Sequence, residues 1–505
     1  MFELSKMFES RVSRWLRPGG VAESLCGYRR NRGGVLAPEN VKDVQEIVRA
    51  ASRARGVVRL QPISCGKNWG FGSALPSKDG VYVLDLSRLR RIRTLDLRRH
   101  CAELEPGVTQ GRLDEALQLH GGTHYFNVTG AGLGASVIGN ALERGIGYSG
   151  QRHLDLLDLE VVLPTGELVR TSRFSTHSQP AAYLGGLGPD PTGLFFQSNF
   201  GVVTAATIAL QRRPEVMGGV LCHLDKRARL PELVSTVSNL LAEGACYGVP
   251  HFFNRERVIT TLSPHLEEVR AAELRSQAAP WMVLIPIKGC KAVFAASAQQ
   301  LRDLLAPLGR VEVLDGGPNA GVGRLMEGRP TELALASVAF AVFGRSAPLN
   351  AAVESSGAGL IHITPIVPLC GKSILAVENQ TSKILRRFGY DRVPLSLNAL
   401  SARTAAVIVS LSFDRRCPER TRTAQSAAEE LLRAYLRAGL IPYRLGLQQG
   451  DLLPVMDAPW RRVLSQMQGI FDSGGCMARS RYESLWEGPP DDLPERRREE
   501  CLCLR

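Results

Sequence analysis

The stretch SCGKNWGFGS (64–73) gathers Gly66, Gly70 and Gly72 around Lys67, Asn68, Trp69 and Phe71. Backbone N–H groups in a glycine-rich turn can converge on an anion, because no side chain blocks the approach and positive φ costs little. Taken alone, the stretch is equally compatible with a plain tight turn. A second stretch, VTGAGLGASVIGNALERGIGYSG (128–150), repeats the pattern with Gly130, Gly132, Gly134, Ser136 and Gly139. It fits the dinucleotide-binding fingerprint only in part. Ala135 takes the place of the last glycine, and no acidic residue follows at the end of a clean βαβ unit. The pair points to a phosphate-bearing ligand between two loops and away from a nicotinamide-binding Rossmann unit.

Other chemistries find no support. There is no GxSxG elbow, no cysteine–histidine pair and no metal-ligand spacing. His120 and His124 flank a glycine turn, His362 lies in an apolar run, and His153 follows the second glycine stretch, all positions that suit structural histidines. The 11 cysteines fall singly until Cys501 and Cys503, and their odd number argues against a full disulfide framework. A reducing cytoplasm is the expected location. The N-terminal MFELSKMFESRVSRWLRPGG lacks the apolar core of a signal peptide, and no run of about 18 apolar residues occurs, so neither export nor membrane insertion is expected.

The 505 residues, 44% hydrophobic and 22% charged, carry a net charge of +13. Length implies two domains. The excess of arginine, clustered at Arg88–Arg99, Arg227–Arg229 and Arg496–Arg498, is read as solvated faces rather than a nucleic-acid surface.

The elements that must position the glycine stretches follow from periodicity. NVKDVQEIVRAASRA (40–54) sets Val41, Val44, Ile47, Val48 and Ala51 on one helical face. GVYVLDLSRL (80–89) reads as a strand. CAELEPGVTQGRLDEALQLHG (101–121) reads as strand, turn and helix, with Thr109 as cap. LDLEVVLPTGELVRT (157–171) reads as two strands about a turn. From about 215 to 440, helical patterns at 230–244 and 423–440 alternate with apolar runs read as strands, ELALASVAFAVFG (332–344) and TAAVIVSLSF (404–413). This is an α+β domain followed by a second, inserted one.

The order of PISCGKNWGFG, EPGVTQGRL, TGAGLGASVIGNALERGIGYSG, LEVVLPTGELVRT and GLGPDPTGLFFQSNFGVVTAATIAL (186–210) resembles the vanillyl-alcohol oxidase and 4-cresol dehydrogenase family of PCMH-type FAD-linked oxidases. The resemblance is close over residues 35–215. It continues thinly through GLIHITPIVPLCGK (359–372), IPYRLGLQQGD (441–451) and GIFDSGGCMARSRYE (469–483). It implies an α+β fold in which a two-part FAD-binding domain (1–214 and 446–490) encloses a cap domain (215–445), with a disordered tail at 491–505.

By the same resemblance, Cys65, Gly66, Lys67, Asn68, Trp69 and Gly70 form the flavin pyrophosphate loop. Thr129, Gly130, Gly132, Leu133, Gly134, Ser136, Gly139 and Asn140 form the loop closing over it, and Gly201, Val202 and Val203 run beside the flavin ring. Glu143 matches an acidic residue close to the flavin N5, where a carboxylate can favour charge separation and then serve as base. Tyr443 and Arg444 match a pair that holds a phenolate oxygen. Phe71 departs from the family: it stands where phenol-oxidising members place a tyrosine, which removes one donor from the substrate site. The usual covalent anchors are missing as well, since Lys67 and Asn68 occupy the place of a histidine and 401–413 holds neither histidine nor tyrosine. FAD is therefore expected to be non-covalent.

The implied function is hydride removal from a benzylic, allylic or alcohol carbon of a phenol-like small molecule onto flavin N5. Dioxygen or an electron-acceptor protein would reoxidise the flavin, no nucleic acid or membrane would be involved, and homodimers occur in the family. Two alternatives stand beside it: an FAD-dependent hydroxy-acid or sugar-lactone oxidoreductase, with Arg444 on a carboxylate, and a flavin-binding protein without oxidase activity.

Overall fold

In the computed structural model of the chain, residues 2–72, 74–172, 188–315, 326–344, 353–447, 449–453, 456–479 and 481–483 are described. The helix expected over 40–54 runs from Val41 to Arg53, and Asn40 caps it by accepting the Asp43 amide. Val44, Ile47, Val48 and Ala51 are fully buried, and each Val or Ile so placed contributes roughly 1.5–3 kcal/mol. They pack on a mixed four-stranded sheet in the order Leu16–Glu23, Arg29–Leu36, Tyr82–Asp85, Leu60–Ile63. The first pair is antiparallel and the other two pairings are parallel. The C-terminal segment returns to the Leu60–Ile63 edge. There the Leu60 amide donates to the Cys476 carbonyl, and the Ala478 amide donates to the Leu60 carbonyl, both at 2.8 Å.

A five-stranded antiparallel sheet follows, in the order Ile92–Asp96, Cys101–Leu104, Val202–Ala209, Leu156–Val162, Leu168–Arg170. Part of the arginine excess is consumed on this sheet. Arg93 pairs with Glu103, Glu105 and Glu160, and Arg170 with Glu103, Asp158 and Glu160. Arg227 and Arg229 likewise meet Glu378 and Glu232.

The largest sheet is an antiparallel one of eight strands. Seven run in the order Gly309–Leu314, Val216–Leu224, Trp281–Gly289, His251–Asn254, Leu395–Ala399, Thr404–Asp414, Ala358–Ile363, and Ile366–Pro368 also pairs with Thr404–Asp414. The helices Leu230–Ala242, Lys291–Leu305, Gly371–Arg386 and Pro418–Arg437 supply its apolar cover.

One expected strand is a helix. ELALASVAFAVFG folds as the helix Leu333–Phe343, ended by Gly344 in the left-handed region at φ 65°. The run is apolar on every side, so periodicity could not separate buried strand from buried helix. Its leucines and alanines favour the helix and only Val338 and Val342 are β-branched. Leu335, Val338 and Ala339 pack on Leu25, Ala358 and Leu360. The tail 491–505, with Cys501 and Cys503, lies outside the described residues. Among those described, no helix is long and apolar enough to cross a membrane.

Candidate active site

The two glycine stretches face each other across a cleft. Ser64, Gly66, Lys67 and Asn68 line one wall, and Ala135, Ser136, Gly139 and Asn140 line the other. The second wall is set by a short helix, Val137–Leu142, capped by Ser136. The Ser136 Oγ accepts the Gly139 amide at 3.0 Å and donates to the Pro106 carbonyl at 2.6 Å. A Cβ on Gly139 would lie 2.1 Å from Ser64 Oγ, so only glycine lets the walls come this close. Pro62, Leu86, Ile138, Phe195 and Val203 add apolar surface, and Asn199, Gln197 and Arg481 add donors. The Arg481 Nε is buried and has no hydrogen-bond partner among the described residues. A cleft of mixed polar and apolar lining, with glycine-loop backbone on both walls and a guanidinium beside it, fits a flavin dinucleotide.

At the cleft wall Glu143 is the residue that ends the Val137–Leu142 helix. Its partner is not the adjacent Arg144, which is exposed. Instead the C-terminal segment delivers Arg481 to Glu143 Oε1 and the Tyr482 hydroxyl to Oε2, the latter at 2.8 Å. Burial alone would raise the Glu143 carboxyl, but Arg481, Arg444 and the two hydrogen bonds together outweigh it and hold it below the ordinary carboxylate range. Glu143 is therefore a fixed anion.

Behind the cleft lies a second cavity, which shares Lys67, Asn68 and Asn140 with it. Arg444 stands at the junction, 4% exposed. Its Nε donates to the Glu143 carbonyl at 2.7 Å, and Nη2 reaches that carbonyl at 2.5 Å and the Asn140 carbonyl at 3.3 Å. Nη1 reaches Asn68 Oδ1 at 3.2 Å. The guanidinium lies 5.2 Å from the Phe71 ring centre and 5.7 Å from that of Tyr443. Tyr443 also faces the cavity, and burial raises its phenol. Phe71, almost fully buried, lies 5.5 Å from His362. His362 is kept neutral, pushed down to about 3 by burial and by the charge of Arg257.

Gly70 holds this wall. Its φ is 77°, and a Cβ there would lie 2.4 Å from His362 Cδ2. Gly80 shares the φ of 77°, but a Cβ at that position would meet nothing within 4 Å. Gly80→Ala should therefore cost only the left-handed strain, about 1–2 kcal/mol, whereas Gly70→Ala should cost more because the His362 ring must move. Urea midpoints of the two variants measure the difference, and equal losses would remove the contact from the argument.

The expected site residues divide between these regions. Gly66, Lys67, Asn68, Ser136, Gly139, Asn140, Glu143, Gly201 and Val203 line the cleft. Trp69, Phe71, Thr129, Gly130, Tyr443 and Arg444 line the cavity. Trp69 Nε1 donates to the Ala131 carbonyl at 2.7 Å, which ties the two glycine stretches together. Four of the expected residues face elsewhere. Cys65 Sγ turns to the Gly107 carbonyl, Val202 is core, Gly132 abuts Leu335 and Glu332, and the Leu133 amide donates to Glu332 Oε1 at 2.7 Å. Gly134 has open space around it. Sequence reasoning missed Arg481, Tyr482, Arg257 and His251, and did not single out Gln197 and Asn199 within GLFFQSNFGVVT. Arg481 and Glu143 are 338 positions apart, a separation that leaves no local pattern.

The FAD binding domain family matches residues 33–172. Over 91% of this chain, and 92% of the relative, the sequence is 29% identical to 1'-carboxy-chondrochloren decarboxylase of Chondromyces crocatus. It is 22% identical to the 4-cresol dehydrogenase [hydroxylating] flavoprotein subunit of Pseudomonas putida, over 84% of this chain and 82% of that one. Two solved structures share the fold. A 4-ethylphenol oxidase from Gulosibacter chungangensis superposes with a TM-score of 0.81 at 20% identity, covering 94% of this chain and 96% of that one. A p-cresol methylhydroxylase superposes with a TM-score of 0.82 at 18% identity, covering 95% and 96%. An FAD-binding segment carrying both glycine stretches, relatives matched over most of their length and a shared α+β fold make the chain an FAD-dependent oxidoreductase similar to the PCMH-type FAD-linked oxidases.

Proposed function

We propose that this oxidoreductase removes a hydride from a benzylic, allylic or alcohol carbon of a phenol-like small molecule held in the second cavity. The observation that carries the reading is the junction at Lys67, Asn68 and Asn140, where cleft and cavity meet between Glu143 and Arg444. When bound, FAD supplies a two-electron acceptor. The chain supplies the rest. Ser64–Asn68 and Ser136–Asn140 hold the cofactor. Tyr443 and Arg444 stabilise negative charge on the substrate oxygen, which pushes electrons toward the carbon that loses hydride. The Glu143 carboxylate favours the positive charge that develops there. Phe71 leaves the oxygen one donor short, which suits a less acidic substrate. Dioxygen or an electron-carrier protein takes the electrons on.

Non-covalent FAD is part of the reading, supported by a cleft lining without histidine, cysteine or tyrosine among the described residues. Acid precipitation of the purified yellow protein is expected to leave the colour in the supernatant. Colour carried down with the protein would mean a covalent anchor. The same preparation, mixed anaerobically with a panel of para-alkylphenols and benzylic alcohols, is expected to lose its visible flavin absorbance. No bleaching by any of them would end the phenol reading.

A second reading is favoured by the charge of the cavity, whose lining includes Lys67, Arg257 and Arg444 and, among the described residues, no Asp or Glu. The relative named a decarboxylase supports a substrate that bears a carboxylate. In that case hydride leaves the carbon next to the one bearing the carboxylate, and CO2 departs. The C–CO2 bonding pair becomes a C=C bond, and the two electrons of the hydride reach the acceptor.

A further inference from the structure

Among the described residues, Arg257 is a partly buried cation with no counter-charge. It stands in the first turn of the helix Arg255–Leu262, where Asn254 Oδ1 accepts its amide at 2.9 Å. Asn254 also donates to the Val393 carbonyl and accepts the Leu395 amide, both at 2.9 Å, which pins the helix start to the eight-stranded sheet. The guanidinium Nη2 donates to Ser410 Oγ at 2.6 Å and to the Pro394 carbonyl at 3.4 Å. Both acceptors are neutral. Its Nε is buried without a partner, and no carboxylate lies within ion-pair distance among the described residues. Burial pulls the guanidinium down to about 10, which still leaves it charged at neutral pH.

The groups facing it do not supply an anion. Tyr148 is stacked on His251 at 4.4 Å, and burial pushes its phenol up to about 12. His251 Nδ1 donates to the Val249 carbonyl at 2.6 Å, and burial keeps this ring neutral. His362, with Nδ1 3.1 Å from Ser410 Oγ, is neutral too and feels both Arg257 and Arg444. All of these line the same cavity. A guanidinium withdrawn in part from water among neutral neighbours is costly unless a ligand brings the opposite charge. Arginine is also the side chain best shaped to take a carboxylate.

We infer that Arg257, steadied by Ser410, anchors a carboxylate of the substrate in the cavity whose other guanidinium, Arg444, holds the substrate oxygen. The inference rests on the second reading above for its substrate class and makes Arg257 the residue that selects it. Substrates are then phenol-like or alcohol-bearing acids rather than simple alkylphenols.

The test uses the flavin-loaded protein and two ligands of like shape, 3-(4-hydroxyphenyl)propanoate and 4-propylphenol, titrated anaerobically against the visible flavin spectrum. The wild type is expected to bind the carboxylate at least about tenfold more tightly, the size of one charge-assisted hydrogen bond. Arg257→Met should bring the affinity ratio to about one while flavin content and thermal midpoint are preserved. Arg257→Gln, which keeps a donor toward Ser410, is the second variant should the first lose FAD, with the same ratio expected. A ratio near one in the wild type overturns the anchor, as does a variant that weakens both ligands equally. Flavin bleaching and CO2 release are read in parallel. If neither occurs while the ratio and its loss persist, the chemistry proposed above falls and the anchor stands.

Discussion

Glu143→Gln is expected to slow substrate-dependent flavin reduction by about 100-fold or more, the lower range for loss of a positioned acid–base or electrostatic group. The same change should destabilise the protein, because Arg481 loses the carboxylate it meets in a buried setting. Breaking such a pair from one side costs about 3–5 kcal/mol when both partners are sequestered. With 24% of the Glu143 side chain still facing the cleft, about 3 kcal/mol is the upper expectation. The two effects separate in Glu143→Gln combined with Arg481→Gln, where no unpaired charge remains. Stability by urea unfolding should recover in the double variant, and the rate by anaerobic stopped flow should not. Recovery of both would reduce Glu143 to a structural partner of Arg481. The pH dependence supplies a third reading. The Glu143 carboxyl is depressed below its ordinary value of 4.5, so its stabilising contribution is fully present above about 4.5 and is lost as pH falls through the folded value. No limb of the rate profile above that pH should belong to it.

The elements that carry the cleft were legible because each announced itself locally. The apolar face of 40–54 marks the helix Val41–Arg53, Thr109 caps the helix expected after it, and the turn within 157–171 separates the two strands. The helix Leu333–Phe343 was misread because an unbroken apolar run has no period to read. That error matters for the site, since Leu333, Leu335 and Val338 wall the cavity, and the Glu332 carboxylate takes the Leu133 amide. Gly132 and Leu133 of the second glycine stretch therefore meet the start of the helix Leu333–Phe343. Glycine content alone cannot distinguish a turn that leaves room for a ligand from one that leaves room for another helix.

The site was legible wherever chemistry sits beside glycine in the chain, as at Lys67, Asn68, Asn140 and Glu143. It was not legible where the fold joins distant segments. Arg481 and Tyr482 reach Glu143 from the far end of the chain. Gln197, at φ 55°, donates to the Tyr443 carbonyl at 2.9 Å and so ties the turn before the strand Val202–Ala209 to the segment carrying Tyr443 and Arg444. Arg257 lies in the unremarkable sequence FFNRERVITTL, and only the sheet beneath it reveals that the charge points into a cavity whose described lining holds no acid. His362, read as structural, does fit that description in being neutral and bonded to Ser410, yet it also forms part of the wall that would touch a substrate.

Arg444→Met is expected to weaken binding of a phenolic ligand by about 10- to 100-fold, the value of one charge-assisted hydrogen bond at roughly 1.5–3 kcal/mol, and to slow flavin reduction at least as much. Four of the five N–H groups of Arg444 are already committed, two to the Glu143 carbonyl, one to that of Asn140 and one to Asn68 Oδ1. One N–H on Nη1 is left for a ligand, so Arg444 acts through its charge and a single bond rather than as a two-pronged clamp. The same bonds fix the helix end that carries Glu143, and a loss of activity alone would not tell the two roles apart. The ionisation of bound 4-nitrophenol does so. Beside Arg444 its phenolate should be favoured, and the yellow anion should form at a lower pH on the wild type than in free solution. In Arg444→Met that shift should vanish. In Arg444→Lys, which keeps the charge but cannot reach three acceptors at once, the shift should persist in part while stability falls. If the methionine variant loses stability yet leaves the ionisation of the bound ligand unchanged, Arg444 holds the junction together without touching the substrate, and the stabilisation of the substrate oxygen must come from the Tyr443 hydroxyl or the charge of Lys67.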